Sequence, residues 1–535
     1  MKRFGACAFA LLFSACSGDA SGGDAAVPDL ADANFDAGTT GDFAGSDLAA
    51  ADLTGGPDLD NHQALQPTVD AVPLKVDGGV DYYEMHVKPG MKQVVPGAMT
   101  PIWGFDGQWP GPTIHATLGR PVTLRVYNDL PVAEDITIHN HGHNVAAAYD
   151  GHPSNNTIPQ GSFYDYHYDN LQQGGAAPNL VGAGTYFFHD HEQMLTAPHF
   201  YKGISAFYLI HPQSGSNEAA LNLPSGAYDI PLMIQDRSFN PDNSLNYSVS
   251  FVNGFQGDVL VVNGTARPYL DVARRKYRFR LLNASNARRI DVGLSTGSMY
   301  QISTDGGLLP TQLNPSRIPL APAERADIVI DFAQYQIGDV VNLTNDDPFT
   351  PLQPEILQFR VTSDQTDTSS LPFALNGAFT PYTATTPVTT RSRSLTFDYD
   401  STGGEWRING KTYNPTAFEF TGTHVDDVEI WSLTNADPTH PIPHPFHQHL
   451  VQFQILDICP VASPSCATPP PGPLSGWKDT VLVQPGTIVR VKMKFYYSGA
   501  DVATAFASPA PYVFHCHNLE HEDHAMMLQQ QIQYP

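Results

Sequence analysis

Apolar and polar positions alternate with period two through Thr123-Leu124-Arg125-Val126-Tyr127-Asn128. That alternation predicts a strand with one buried and one solvated face. Short strand-like runs recur at Ser205–Ile210, Asp229–Gln235, Tyr277–Leu282, Ala326–Phe332, Ser394–Phe397, Asp427–Leu433, Val451–Leu456, Val489–Phe495 and Tyr512–Cys516. Between them lie turn formers, drawn from 44 Gly and 45 Pro. Many short strands with dense punctuation predict an all-β chain. At 535 residues it is too long for one core, so several domains are expected.

The N-terminus follows another rule. Met1-Lys2-Arg3 and the apolar run from Phe4 to Phe13 read as an export signal, too short to span a bilayer as a mature helix. Leu12-Phe13-Ser14-Ala15-Cys16 resembles a bacterial lipoprotein cleavage box, although Phe13 stands where Leu is usual. Residues 1–16 would then be a signal peptide. The expected location is the periplasm, outer membrane or cell surface, anchored through a lipidated Cys16; plain cleavage to a soluble product is the alternative. Residues 17–70 are rich in Asp, Ala and Gly, cannot bury enough apolar surface to fold, and are expected to form an extended tether without secondary structure. Of the net charge of −26, ten aspartates lie within residues 17–60. The folded remainder is still acidic, a poor partner for nucleic acid or anionic membrane.

Five cysteines add a constraint. Cys7 and Cys16 belong to the leader. Cys459 and Cys466 flank a short loop and are expected to form a disulfide in an exported chain, with two buried thiols as the alternative. Cys516 is left unpaired. It sits in His515-Cys516-His517-Asn518-Leu519-Glu520-His521, after the strand-like Tyr512-Val513-Phe514. On a strand Cys516 faces one way while His515 and His517 face the other, so one segment can serve two metal sites on the order of 10 Å apart. His521 follows five residues after the cysteine and Met526 ten after it. Cys, His and a weak Met are three of the four ligands of a blue-copper site.

More histidine pairs lie elsewhere: His139-Asn140-His141, His189-Asp190-His191, and His444-Pro445-Phe446-His447-Gln448-His449. Together with the Cys516 stretch they resemble the multicopper oxidases, nearest to the spore-coat laccase, bilirubin oxidase and phenoxazinone synthase branch. Supporting phrases are Trp109-Pro110-Gly111-Pro112-Thr113, Gly184–His191 and Pro322-Ala323-Glu324-Arg325-Ala326-Asp327. The resemblance implies three cupredoxin-like Greek-key β-sandwich domains, over residues 71–212, 213–385 and 386–535. The middle one has no Cys, and no His lies between His211 and His424; it is expected to act as a spacer. Four copper ions per chain are implied. A blue (type 1) copper would be held by His444, Cys516 and His521 with Met526 axial. A type 2 copper would be held by His139 and His447, and two type 3 coppers by His141, His189, His191, His449, His515 and His517. Asp150 and Glu522 match proton-relay positions, although Asp150-Gly151 alone reads as a turn and Glu522 as a solvated side chain. His143, His152, His440 and His524 match no ligand position. Met527 is read as core.

The implied activity is one-electron oxidation of a phenol or aromatic amine, coupled to four-electron reduction of O2 to water. Electrons are expected to enter through a partly exposed edge of His444 or His521. The partners are O2 and a small aromatic reductant, and a monomer is expected. The rival readings are a metallo-oxidase of Cu(I) or Mn(II), against which the absence of a Met cluster argues, a two-copper nitrite reductase, and a non-catalytic copper-binding cupredoxin. The proline-rich Thr468–Pro473 is read as an exposed loop.

Overall fold

The computed structural model describes residues 61–170, 182–347, 352, 354–496 and 508–534. The expected leader, the expected lipidation site Cys16 and residues 17–60 lie outside the described residues. The rest is all-β, built from six sheets that pair in chain order. Strands between Lys75 and His211 form the first two sheets, those between Asp229 and Asp364 the next two, and those between Arg391 and Gln533 the last two. Each pair encloses its own apolar core: one around Leu124, Tyr166 and Tyr208, one around Phe279, Ile328 and Phe359, and one around Trp431, Phe446 and Phe514. Strands at the outside of the sandwiches alternate inward and outward residues, as in Val122–Asn128 with Val122, Leu124 and Val126 buried, while Gly184–Asp190 and His444–Gln448 are buried at every position.

The tether ends earlier than composition suggests. Gln63–Ala64 pairs in parallel with Pro268–Tyr269, and Leu65 packs against the middle core. Gln63 Nε2 donates to the Val94 carbonyl at 2.9 Å. An open strand edge supplies backbone partners that composition cannot reveal. A second departure is at the strand expected from Val451, which starts at Phe453 because Leu450 adopts φ +72° and turns the chain after His449. Cys459 and Cys466 form the expected disulfide.

Trp431 anchors the last core. It is fully buried, lies 5.0 Å from the Phe514 ring, and its Nε1 donates to Glu429. Trp431→Ala is expected to cost about 3–5 kcal/mol, read as a lowered melting temperature with the copper-free protein as reference.

Candidate metal centre

Strand register delivers the histidines. His139 lies opposite His189 across one antiparallel pair, and His447 lies opposite His515 across another. The first pair belongs to the first sandwich and the second to the last. Their rings meet: His139 Nε2 is 3.3 Å from His447 Nε2. His191 and His449 each bring Nε2 close to that of His515, at 3.1 and 3.2 Å. His141 Nε2 lies 3.0 Å from His189 Nε2 and 3.1 Å from His517 Nε2. Eight buried imidazoles thus converge, in the groups His141/His189/His517, His191/His449/His515 and His139/His447/His449.

The opposite face of the same strand carries Cys516. Its Sγ is 3.5 Å from His444 Nδ1 and 3.6 Å from His521 Nδ1. Met526 is buried in the same core cluster as Cys516, while Met527 packs with Val513 and Tyr413. The chain turns back on itself here, with Cys516 N donating to the Met526 carbonyl at 3.1 Å.

Tautomers show what these groups fit. His139, His189 and His447 point Nδ1 at the carbonyls of Asp150, Asp190 and Asp479, at 2.6, 2.7 and 2.9 Å. His449 points Nδ1 at Asp150 Oδ2, at 2.8 Å. A carbonyl or carboxylate oxygen accepts, so Nδ1 carries the proton and Nε2 presents a lone pair. Lone pairs facing one another at about 3 Å repel unless a cation lies between them. At Cys516 the roles invert. His521 Nε2 lies 3.1 Å from the Val252 carbonyl, which leaves Nδ1 free to coordinate. Burial holds His444, His189 and His191 down at about 3, and burial with neighbouring imidazoles holds His139, His141, His449, His517 and His521 well below the ordinary value. Neutral imidazole is the form that binds copper. Burial also pushes the Cys516 thiol up, so its thiolate needs a cation beside it. The residues present therefore fit copper.

The two carboxylates singled out from the sequence are both buried. Asp150 reaches His449 from the end of a short 3-10 turn, Ala147–Tyr149. Gly151 makes this possible: it has φ +75°, and a Cβ there would meet the Ile138 carbonyl at 2.3 Å. Glu522 lies 3.0 Å from His515 Nδ1 and 3.5 Å from His191 Nε2. Burial raises the pKa of both, well above the usual range for Asp150. Both can hold a proton beside the histidine cavity.

Other expectations need correction. His444 and His521 have no exposed edge; both are fully buried. Val252 covers one, and the Trp406 ring lies 4.6 Å from His444 and 4.9 Å from His521. The middle sandwich is more than a spacer, because Val252 comes from it. So do Tyr247 Oη, Phe255 N and Asn286 Nδ2, which all donate to the buried Glu520 beside His521. The proline-rich loop is exposed as expected, and it leans on the middle sandwich, where Gln301 Nε2 donates to the Pro473 carbonyl at 2.9 Å.

Asp479 escaped the sequence reading. Its carboxylate lies 3.7 Å from His141 Nδ1 and 3.5 Å from His447 Nδ1, and it accepts two hydrogen bonds from Arg325, at 2.8 and 2.5 Å. Burial opposes its charge, but the Arg325 guanidinium holds the carboxyl well below the usual range. The signal was a charged Lys478-Asp479 inside an otherwise apolar approach to a strand. His143 and His152 are buried away from the cavity, on Asn170 and Gln529. His440 and His524 lie near the surface against Tyr399 and Phe251.

Known proteins resemble this chain over most of their length. The multicopper oxidase family matches residues 87–215 and 382–533. A laccase of Bacillus subtilis (strain 168) is 34% identical over 80% of this chain and 89% of its own. A bilirubin oxidase of Albifimbria verrucaria is 33% identical over 83% of this chain and 75% of its own. The crystal structure of a laccase from Pediococcus acidilactici Pa5930 superposes with a TM-score of 0.76 at 29% identity, covering 91% of this chain and 96% of that one. A third of the sequence is held in common across nearly the whole fold, and the histidine pairs converge in space; the chain belongs to the multicopper oxidase family, an oxidoreductase with copper as its cofactor.

Proposed function

We propose that His444, Cys516 and His521, with Met526 as a further weak ligand, would hold a blue copper, and that His139 and His447 would hold a type 2 copper. The two type 3 coppers fall to His141, His189 and His517, and to His191, His449 and His515. One observation carries this reading: Cys516 turns to two histidines while its neighbours His515 and His517 turn to the other six. Bound copper would supply one-electron acceptance at Cys516 and several electrons to O2 in the histidine cavity.

The protein's own groups do the rest. The segment His515-Cys516-His517 joins the two centres covalently. A phenol or aromatic amine is the reductant, a reading supported by the laccase and bilirubin oxidase relatives. A Met526 thioether beside that copper would favour electron-rich donors. Asp150 and Glu522 hand protons to the cavity, each within reach of a ligand histidine. Export, with Cys16 lipidated and the chain monomeric, completes the reading; metabolic labelling with a fatty acid, lost in Cys16→Ala, tests the anchor.

Metal analysis tests the assignment. About four copper ions per chain with an intense blue absorption support it, and a nearly copper-free, colourless folded protein sinks it. Asp150→Asn is expected to slow reoxidation by O2 by about a hundredfold or more while the reductant still bleaches the blue absorption at its usual rate. Equal loss of both half-reactions would remove Asp150 from the relay.

A further inference from the structure

The covering of the Cys516 centre presents a surface of its own to solvent. Because both imidazoles are buried, a reductant cannot touch either ring. The carbonyl of Val252 is the common point: His521 Nε2 lies 3.1 Å from it, and Trp406 Nε1 donates to it at 3.3 Å. Outside this pair lie rings open to solvent. Phe251, next to Val252, is 44% exposed and stacks on His524 at 3.7 Å. Tyr399, half-buried, lies 4.9 Å from Trp406 and 4.3 Å from His440. Asp398 and Asp400 pair with Arg407 on the outward side of the same hairpin, opposite Tyr399 and Trp406. Glu405 precedes Trp406 in the chain, is exposed, and acts electrostatically on His524.

The cover is held in place. Tyr247 and Phe255, on either side of Phe251 and Val252, both donate to Glu520, at 2.7 and 2.9 Å. Gly254 has φ +74°, and a Cβ there would meet Ala287 and Asn518 within 2.4–2.5 Å. The segment is therefore clamped to the helix Leu519–Asp523 that carries His521.

We propose that this surface is where the reductant docks, and that it selects a cationic, electron-rich aromatic amine. The inference rests on the copper assignment proposed above. The ring of the amine stacks on Phe251, its charge is balanced by Glu405, and its electron crosses the Val252 carbonyl and the Trp406 ring. One electron leaves the amine, which becomes a radical cation. That one electron would be taken up by a copper held at Cys516, His444 and His521. No bond forms or breaks, and any later proton loss is to water.

The test uses the copper-loaded protein, with Phe251→Ala and Glu405→Gln, both of exposed residues outside the copper ligands. Phenyltrimethylammonium, a redox-inert analogue, is titrated by calorimetry. Separately, the blue absorption is followed after anaerobic mixing with a cationic phenylenediamine or with ferrocyanide. Each variant is expected to weaken analogue binding and to slow bleaching by the phenylenediamine roughly tenfold, with spectrum and copper content unchanged. Bleaching by ferrocyanide should hold or quicken, and added salt should slow the phenylenediamine alone. Unchanged analogue binding and unchanged bleaching in both variants would overturn the docking surface and leave the copper assignment standing. A wild-type protein that never turns blue would overturn the assignment itself.

Discussion

Replacing Cys516 with serine is expected to abolish the blue absorption and all reduction by aromatic donors. The copper content should fall from about four per chain to about three, since the histidine cavity keeps its ligands. The reason is chemical and local. Cys516 is the only thiol among the described residues, the other two cysteines being joined in a disulfide. A serine hydroxyl of similar size cannot supply the soft, polarisable sulfur that makes the centre an electron acceptor. It also lies on the strand that pairs Phe446 with position 516 and His447 with His515, so the backbone and both neighbouring histidines stay where they were. The check is a metal assay beside an optical spectrum, together with oxygen uptake. A serine variant that stays blue would show that the sulfur is not the ligand.

Arg325→Met should be the most destabilising single change near the centre. Arg325 is fully buried. It donates to both oxygens of Asp479, and its Nε donates to the Thr185 carbonyl at 3.0 Å. Removing one partner of a buried pair leaves the other charged and without compensation, at about 3–5 kcal/mol. Asp479 also sits beside His141 and His447, so the unpaired carboxylate should turn or take up a proton, and those rings should lose their orientation. Expected results are a melting temperature lowered by several degrees in the copper-free protein and fewer than four coppers retained on dialysis. The double change Arg325→Met with Asp479→Leu should recover part of the stability and none of the copper. A single variant as stable as the parent would remove the buried pair from the account.

Much of this was legible in the chain. Alternation placed strands such as Val122–Asn128 and Arg325–Asp331 within a residue or two of their ends, because a half-buried strand must alternate. The converging histidines were legible because they come as His-x-His pairs, and two residues along a strand return a side chain to the same face. What stayed hidden depends on partners distant in sequence. Nothing local to Val252 says that its carbonyl will meet a histidine 269 positions away. Asp479 reads as a strand-edge aspartate until Arg325 is set against it. Glu522, which alone reads as solvated, is buried because a short helix folds it over His191 and His515. Exposure at His521 was hidden for the same reason, since Val252 over it belongs to another sandwich, while His444 is covered by Trp406 of its own sandwich.

Arg325 touches the first sandwich through Thr185 and the last through Asp479. Shuffling whole sandwiches between relatives would therefore separate groups that were selected together. A hybrid carrying a foreign middle portion would keep every histidine and still assemble poorly, unless the residues matching Arg325, Val252 and Asn286 travelled with it. Productive crossover points should then lie inside strands of the cores rather than at the linkers where a gene is most conveniently cut.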